Sequence, residues 1–82
     1  MNKKITVYST KTCPYCVMLK GWLRSQKLDF VDIFVDQDQE AAREMVALSG
    51  QMGVPFTTIE DNSGNIVTIL GFDVQSLKTA LA

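Results

Sequence analysis

No histidine occurs among the 82 residues, and that absence removes more chemistry than any other feature of the composition. Without an imidazole there is no Cys–His nucleophile pair, and a metal site would have to be built from two sulfurs and scattered carboxylates. Charge of one sign is lacking as well, since 8 basic and 9 acidic residues are interspersed for a net charge of −1. No cationic stripe favours nucleic acid or an anionic membrane surface as a partner. Nor does any apolar run approach the ~20 residues of a membrane span. Met1-Asn2-Lys3-Lys4 looks like the start of a signal peptide, but the run from Ile5 to Tyr8 is far too short for its hydrophobic region. Linkers, repeats and low-complexity segments are missing too, so residues 1–82 read as one monomeric domain, at a size where burial only just suffices for independent folding. With 46% hydrophobic and 21% charged residues, the supply for a core is adequate and disorder is excluded.

Cysteine is scarce but pointedly placed. Both copies, Cys13 and Cys16, lie in Thr10-Lys11-Thr12-Cys13-Pro14-Tyr15-Cys16, where a short apolar strand gives way to a helical pattern. Two thiols at this spacing, the first at a helix start, are close enough to form a disulfide and open enough to be attacked. With no export signal the simplest home is a reducing cytoplasm, where such pairs are usually transient and catalytic. The competing readings are half a zinc site, a metal-carrier loop or an inert structural disulfide. They fail on missing ligands, because there is no second ligand pair and a proline stands inside the motif.

Periodicity predicts the surrounding elements. Lys4 to Ser9 is a strand, rich in β-branched and aromatic residues. Thr12 or Cys13 caps a helix with Pro14 at its first position, running to about Gln26. Cys16, Leu19 and Leu23 recur on one face of it, with Trp22 alongside, and Lys20, Arg24 and Lys27 on another. Gly21 inside this helix suggests a close approach to the sheet. Phe30 to Val35 is a nearly continuous apolar strand of the kind covered on both faces. Asp36 or Asp38 caps a second helix to about Ser49, with Ala41, Met45 and Leu48 on its apolar face and Gly50 as its stop. Phe56–Glu60 and Ile66–Leu70 flank the turn-forming run 61–65 and make an antiparallel hairpin. Asp73 caps a last helix whose face is Val74, Leu77 and Leu81. The order is βαβαββα, with a right-handed crossover joining the first two strands in parallel.

Cys13-Pro14-Tyr15-Cys16 after a strand, Val54-Pro55 ahead of the hairpin and Gly71-Phe72-Asp73 before the last helix together resemble a small dithiol glutaredoxin over essentially the whole chain. Lys20 resembles that family's lysine in the first helix. The resemblance implies a minimal thioredoxin fold, an α/β architecture with a four-stranded mixed sheet flanked by helices, and a cis Val54–Pro55 bond. It implies a dithiol-disulfide oxidoreductase acting on disulfide-containing proteins or glutathione mixed disulfides, with glutathione as reductant and co-substrate and no bound metal. Cys13 is then the nucleophile and Cys16 the resolving thiol. Lys11, Tyr15, Val54, Pro55, Gly71, Phe72 and Asp73 become the expected substrate or glutathione contacts, with the Val54 backbone offered to an extended peptide as a short added strand.

The thiolate has a physical requirement. Lowering a cysteine from about 8.5 by roughly three units needs about 4 kcal/mol of preference for the charged form. The helix dipole contributes up to ~2 kcal/mol, so N–H groups of the first turn, from Tyr15 and Cys16, must add the rest at about 1.5–3 kcal/mol each, helped through space by Lys11.

The chain departs from the glutathione-using pattern near its end. Where that pattern has a Gly-Gly pair and an acid at the helix start, this sequence reads Leu70-Gly71-Phe72-Asp73-Val74. A Gly-Phe with no following acid also resembles the NrdH-type redoxins, electron donors to ribonucleotide reductase that thioredoxin reductase recharges. A third possibility, from a different class, is a module holding an iron–sulfur centre through Cys13 and external glutathione thiols.

Overall fold

Ile5, Val7 and Ser9 alternate with Thr6 and Tyr8 along the first strand, β1 (Lys4–Ser9), and all five are buried, so this strand has to be covered on both faces. A computed structural model describing residues 3–82 shows how; Met1 and Asn2, the opening of the basic start, lie outside the described residues. The remaining elements are α1 (Pro14–Ser25), β2 (Val31–Phe34), α2 (Gln39–Ser49), β3 (Phe56–Glu60), β4 (Ile66–Leu70) and α3 (Val74–Leu81). The order is the predicted βαβαββα. The strands form one mixed sheet in the order β2-β1-β3-β4, with β1 and β2 parallel and the other two pairs antiparallel.

Side-chain alternation splits the core into two layers. Ile5, Val7, Ile59 and Ile69 point to one face, where Leu19 and Leu23 of α1 and Leu77 of α3 cover them. Tyr8 and Phe56 point to the other, against Ala41 and Met45 of α2. Each fully buried leucine in such a layer contributes about 1.5–3 kcal/mol, a substantial share for a domain of this size. The helix ends follow local chemistry: Asp38 accepts from Ala41 N–H at 3.1 Å to start α2, and Gly50 stops it in the left-handed region at φ 72°. In the hairpin loop the Asp61 carboxylate accepts from the N–H groups of Ser63 and Asn65, at 2.9 and 3.0 Å.

Several expectations are corrected. Strand β2 is shorter than Phe30–Val35 and lies at the edge of the sheet, with Val31 exposed and Asp32, Ile33 and Phe34 partly buried. Leu48 is exposed, since Ala41 and Met45 alone span the width of α2 that meets the sheet. Gly21 is exposed and a side chain there would meet nothing, so no close approach explains it. Lys20 belongs to the buried face of α1 rather than to its solvent face.

Candidate active site

The corner between β1 and α1 is built by one capping interaction. Cys13 is the N-cap residue of α1, with Pro14 in the first turn, where a missing N–H leaves no helical bond unmade. The capping atom is sulfur: Cys13 Sγ accepts from Cys16 N–H at 3.1 Å. Cys13 and Cys16 are joined as a disulfide, their Cα atoms 5.2 Å apart. In this disulfide form, among the described residues, Cys13 Sγ accepts from Cys16 N–H and not from Tyr15 N–H. Cys13 is partly exposed, whereas Cys16 is fully buried on the inner face of α1. An external sulfur can therefore approach Cys13 and not Cys16.

The second wall of the site is the loop before β3. Its Val54–Pro55 bond is cis, Pro55 is fully buried, and the Val54 carbonyl oxygen lies 3.9 Å from Cys13 Sγ. Gln51 folds back onto the N–H and carbonyl of Gly53, the residue before Val54. The third wall is the turn into α3. Gly71, at φ 83°, donates its N–H to Pro55 O at 2.8 Å, which ties the Gly71-Phe72-Asp73 turn to the proline loop. Phe72 is half-buried against the α1/α3 core. Tyr15, inside the motif, is exposed, and Val17, Met18 and Met52 are exposed as well. Lys11 is exposed, its backbone N–H donating to Asp36 Oδ2 at 3.4 Å. A cleft of about 650 Å³ lined by Lys3, Ile5, Lys27, Leu28, Asp29, Leu81 and Ala82 shares no residue with these walls.

Asp73 caps α3, accepting from Ser76 N–H at 3.1 Å and Ser76 Oγ at 2.7 Å. The Ser76 hydroxyl and then its N–H hold the carboxyl below its ordinary value of 3.8. A depressed folded-state value means the cap stabilises above the unfolded value and is lost as pH falls through the folded one. Asp73→Ala should therefore lower the melting temperature by a few degrees at pH 7 and by much less well below pH 3.8, which thermal melts across that range would check.

Behind the disulfide lies a network that sequence reading missed. Lys20 Nζ sits 3.0 Å from Asp32 Oδ2 and 3.2 Å from Ser9 Oγ, which itself donates to Asp32 Oδ1 at 3.0 Å. The ammonium also lies 4.6 Å from the centre of the Phe34 ring. Strand alternation held the signal, because the register pairs Ser9 with Phe34 and Val7 with Asp32, putting Ser9 and Asp32 on the α1 side. Among the described residues no group of three or more Cys, Asp or Glu side chains is gathered as metal ligands, and no helix is long and apolar enough to cross a membrane.

Comparison with known proteins decides the family. The glutaredoxin family model matches residues 5–63, from β1 through the motif and the cis-proline loop into the hairpin. The chain belongs to the glutaredoxin family. A glutaredoxin-like 8.6 kDa protein of the rubredoxin operon of Clostridium pasteurianum is 46% identical over 69 residues, 84% of this chain and 85% of that protein. A Neisseria meningitidis glutaredoxin is 44% identical over 52 residues, covering 62% of this chain and 61% of the relative. Among solved structures, the glutaredoxin-like NrdH-redoxin of Escherichia coli superimposes with a TM-score of 0.77 at 26% identity, over 93% of this chain and 92% of that one. The glutaredoxin fold thus carries a Cys13–Cys16 redox pair, and membership assigns thiol-disulfide oxidoreductase chemistry.

Proposed function

We propose that this glutaredoxin reduces protein disulfides and glutathione mixed disulfides in a reducing cytoplasm, with Cys13 as nucleophile, Cys16 as resolving thiol and glutathione as reductant. The observation that carries the reading is the Val54 carbonyl 3.9 Å from a partly exposed Cys13 Sγ. That backbone can hold an extended substrate as a short added strand and aim its sulfur at Cys13 without reading side chains. Cys13 thiolate attacks the substrate disulfide, one substrate sulfur leaves as thiolate, and a mixed disulfide remains. Cys16 then attacks Cys13 Sγ, forms the Cys13–Cys16 bond and releases the second substrate sulfur, which takes up the proton that Cys16 loses. Glutathione returns the pair to two thiols. Lys11, Tyr15, Gly71 and Asp73 border the path of such a ligand, and Lys11 supplies the charge for a carboxylate. No metal is required by any step. We place the whole chain, 1–82, in one domain acting as a monomer.

One observation favours a second reading, recharging by thioredoxin reductase with ribonucleotide reductase among the substrates. Both Asp73 carboxylate oxygens already engage Ser76, and Val74 follows where a second acid would fix the ammonium of glutathione. The NrdH-redoxin it resembles is described as having a thioredoxin-like activity profile. An assay coupled to NADPH, run once with glutathione and glutathione reductase and once with thioredoxin reductase alone, separates the two. Val74→Asp adds a charge-assisted contact worth about 1.5–3 kcal/mol and should lower the KM for a glutathionylated substrate by one to two decades. Turnover with thioredoxin reductase alone would replace the glutathione reading by the second one.

A further inference from the structure

Thr57 is completely buried in β3, and its hydroxyl is the one buried side-chain polar atom among the described residues with no hydrogen-bond partner. A hydroxyl left so costs about 1–3 kcal/mol, so its presence calls for a partner in some other state of the protein. The register says where it points. Thr57 lies opposite Val7 of β1 and Ile69 of β4, both core residues of the α1/α3 layer, and two positions along the strand from Ile59 of the same layer. It sits on that face two residues past Pro55, toward the end of the sheet that carries the disulfide. Cys16 occupies the matching end of α1, one turn before Leu19 and Lys20.

Few groups in this layer can serve the hydroxyl. The fully buried side chains carrying a heteroatom beyond carbon there are Ser9, Cys16 and Thr57. Ser9 is committed to Asp32 and Lys20, and the Lys20 ammonium to Ser9, Asp32 and the Phe34 ring. Cys16 is left, and its sulfur is held by Cys13.

We infer that Thr57 is a positioning residue for the resolving thiol: in the reduced protein its hydroxyl pairs with Cys16 Sγ, so that it favours the dithiol over the disulfide. Reduction by a dithiol breaks the Cys13–Cys16 bond and forms the reductant's own disulfide, two electrons and two protons passing to the cysteines. Freed from Cys13, the Cys16 side chain can change rotamer and exchange a hydrogen bond with Thr57. During resolution, as Cys16 gives up its proton and attacks Cys13, the Thr57 O–H donates to the sulfur while it bears charge. The inference rests on the redox pair, not on which reductant serves the protein in the cell.

The test is the thiol-disulfide equilibrium of the whole protein against dithiothreitol, read for wild type, Thr57→Val and Thr57→Ser. Thr57→Val keeps the shape and removes the hydroxyl, and Thr57→Ser keeps the hydroxyl. Thr57→Val should shift the equilibrium toward the disulfide by about tenfold, which is about 30 mV for a two-electron couple, while Thr57→Ser stays close to wild type. The valine variant should also melt higher than wild type when oxidised and no higher when reduced. A purely structural role would change both forms alike. Equilibrium constants within about twofold for wild type and Thr57→Val, or an equal shift in Thr57→Ser, would overturn the inference. A wild-type disulfide that does not exchange with dithiothreitol at all would instead refute the redox pair.

Discussion

Cys13→Ser is expected to take every disulfide-reducing activity of this glutaredoxin to background, whereas Cys16→Ser keeps exchange with glutathione mixed disulfides and loses reduction of protein disulfides. The asymmetry follows from access. Cys13 Sγ caps α1, receives the Cys16 N–H and is partly exposed, while Cys16 is fully buried. A serine hydroxyl at position 13 forms no anion at neutral pH and cannot replace a thiolate as attacking group. Position 16 matters only after a mixed disulfide exists, and free glutathione can perform that second attack when the partner sulfur is small. Steady-state rates with a glutathionylated peptide and with a protein disulfide would check both halves. Turnover surviving in Cys13→Ser would reverse the assignment of roles.

Removing Asp32 should be the most damaging change to stability outside the apolar core. Lys20 is buried, and Asp32 supplies the anion that compensates its charge at 3.0 Å, with Ser9 bridging the two. Breaking a buried pair by deleting one partner costs about 3–5 kcal/mol, and the lower end applies because a quarter of the Asp32 side chain reaches solvent. About 3 kcal/mol is a large fraction of what a domain this small has. Asp32→Ala should therefore lower the urea midpoint strongly, and adding Lys20→Met should recover much of the loss, because a flexible apolar side chain then fills the stem's place with no charge left uncompensated. Equal instability of the single and double variants would mean that packing around Asp32, not charge, is what the site needs.

What the sequence disclosed and what it hid divide along physical lines. The element order was legible because each boundary has a local cause: Asp38 and Asp73 cap their helices, Gly50 adopts a left-handed conformation, and Pro14 stands in a first turn. The motif at 13–16 is equally local. By contrast, the tie between Gly71 N–H and Pro55 O joins residues 16 apart in sequence, and no periodicity reports it. Lys20 was misplaced because a charged residue on a helix normally faces water, and only the sheet order puts Asp32 beneath it. Leu48 erred in the opposite sense, since an apolar residue at helical spacing need not find a neighbour on a small sheet. Thr57 passed as an ordinary strand threonine: alternation sets it on the face opposite Thr58, but nothing in the sequence reports its unpaired hydroxyl.

The central claim is that one sulfur, Cys13, meets substrate while Cys16 waits behind it. Its most direct test is alkylation of the fully reduced native protein with a limiting pulse of iodoacetamide at neutral pH, followed by peptide mapping. The label should fall on Cys13 well ahead of Cys16, and Cys16 should take it up only after denaturation. Equal labelling of the two cysteines in the native protein, or Cys16 first, would contradict the account.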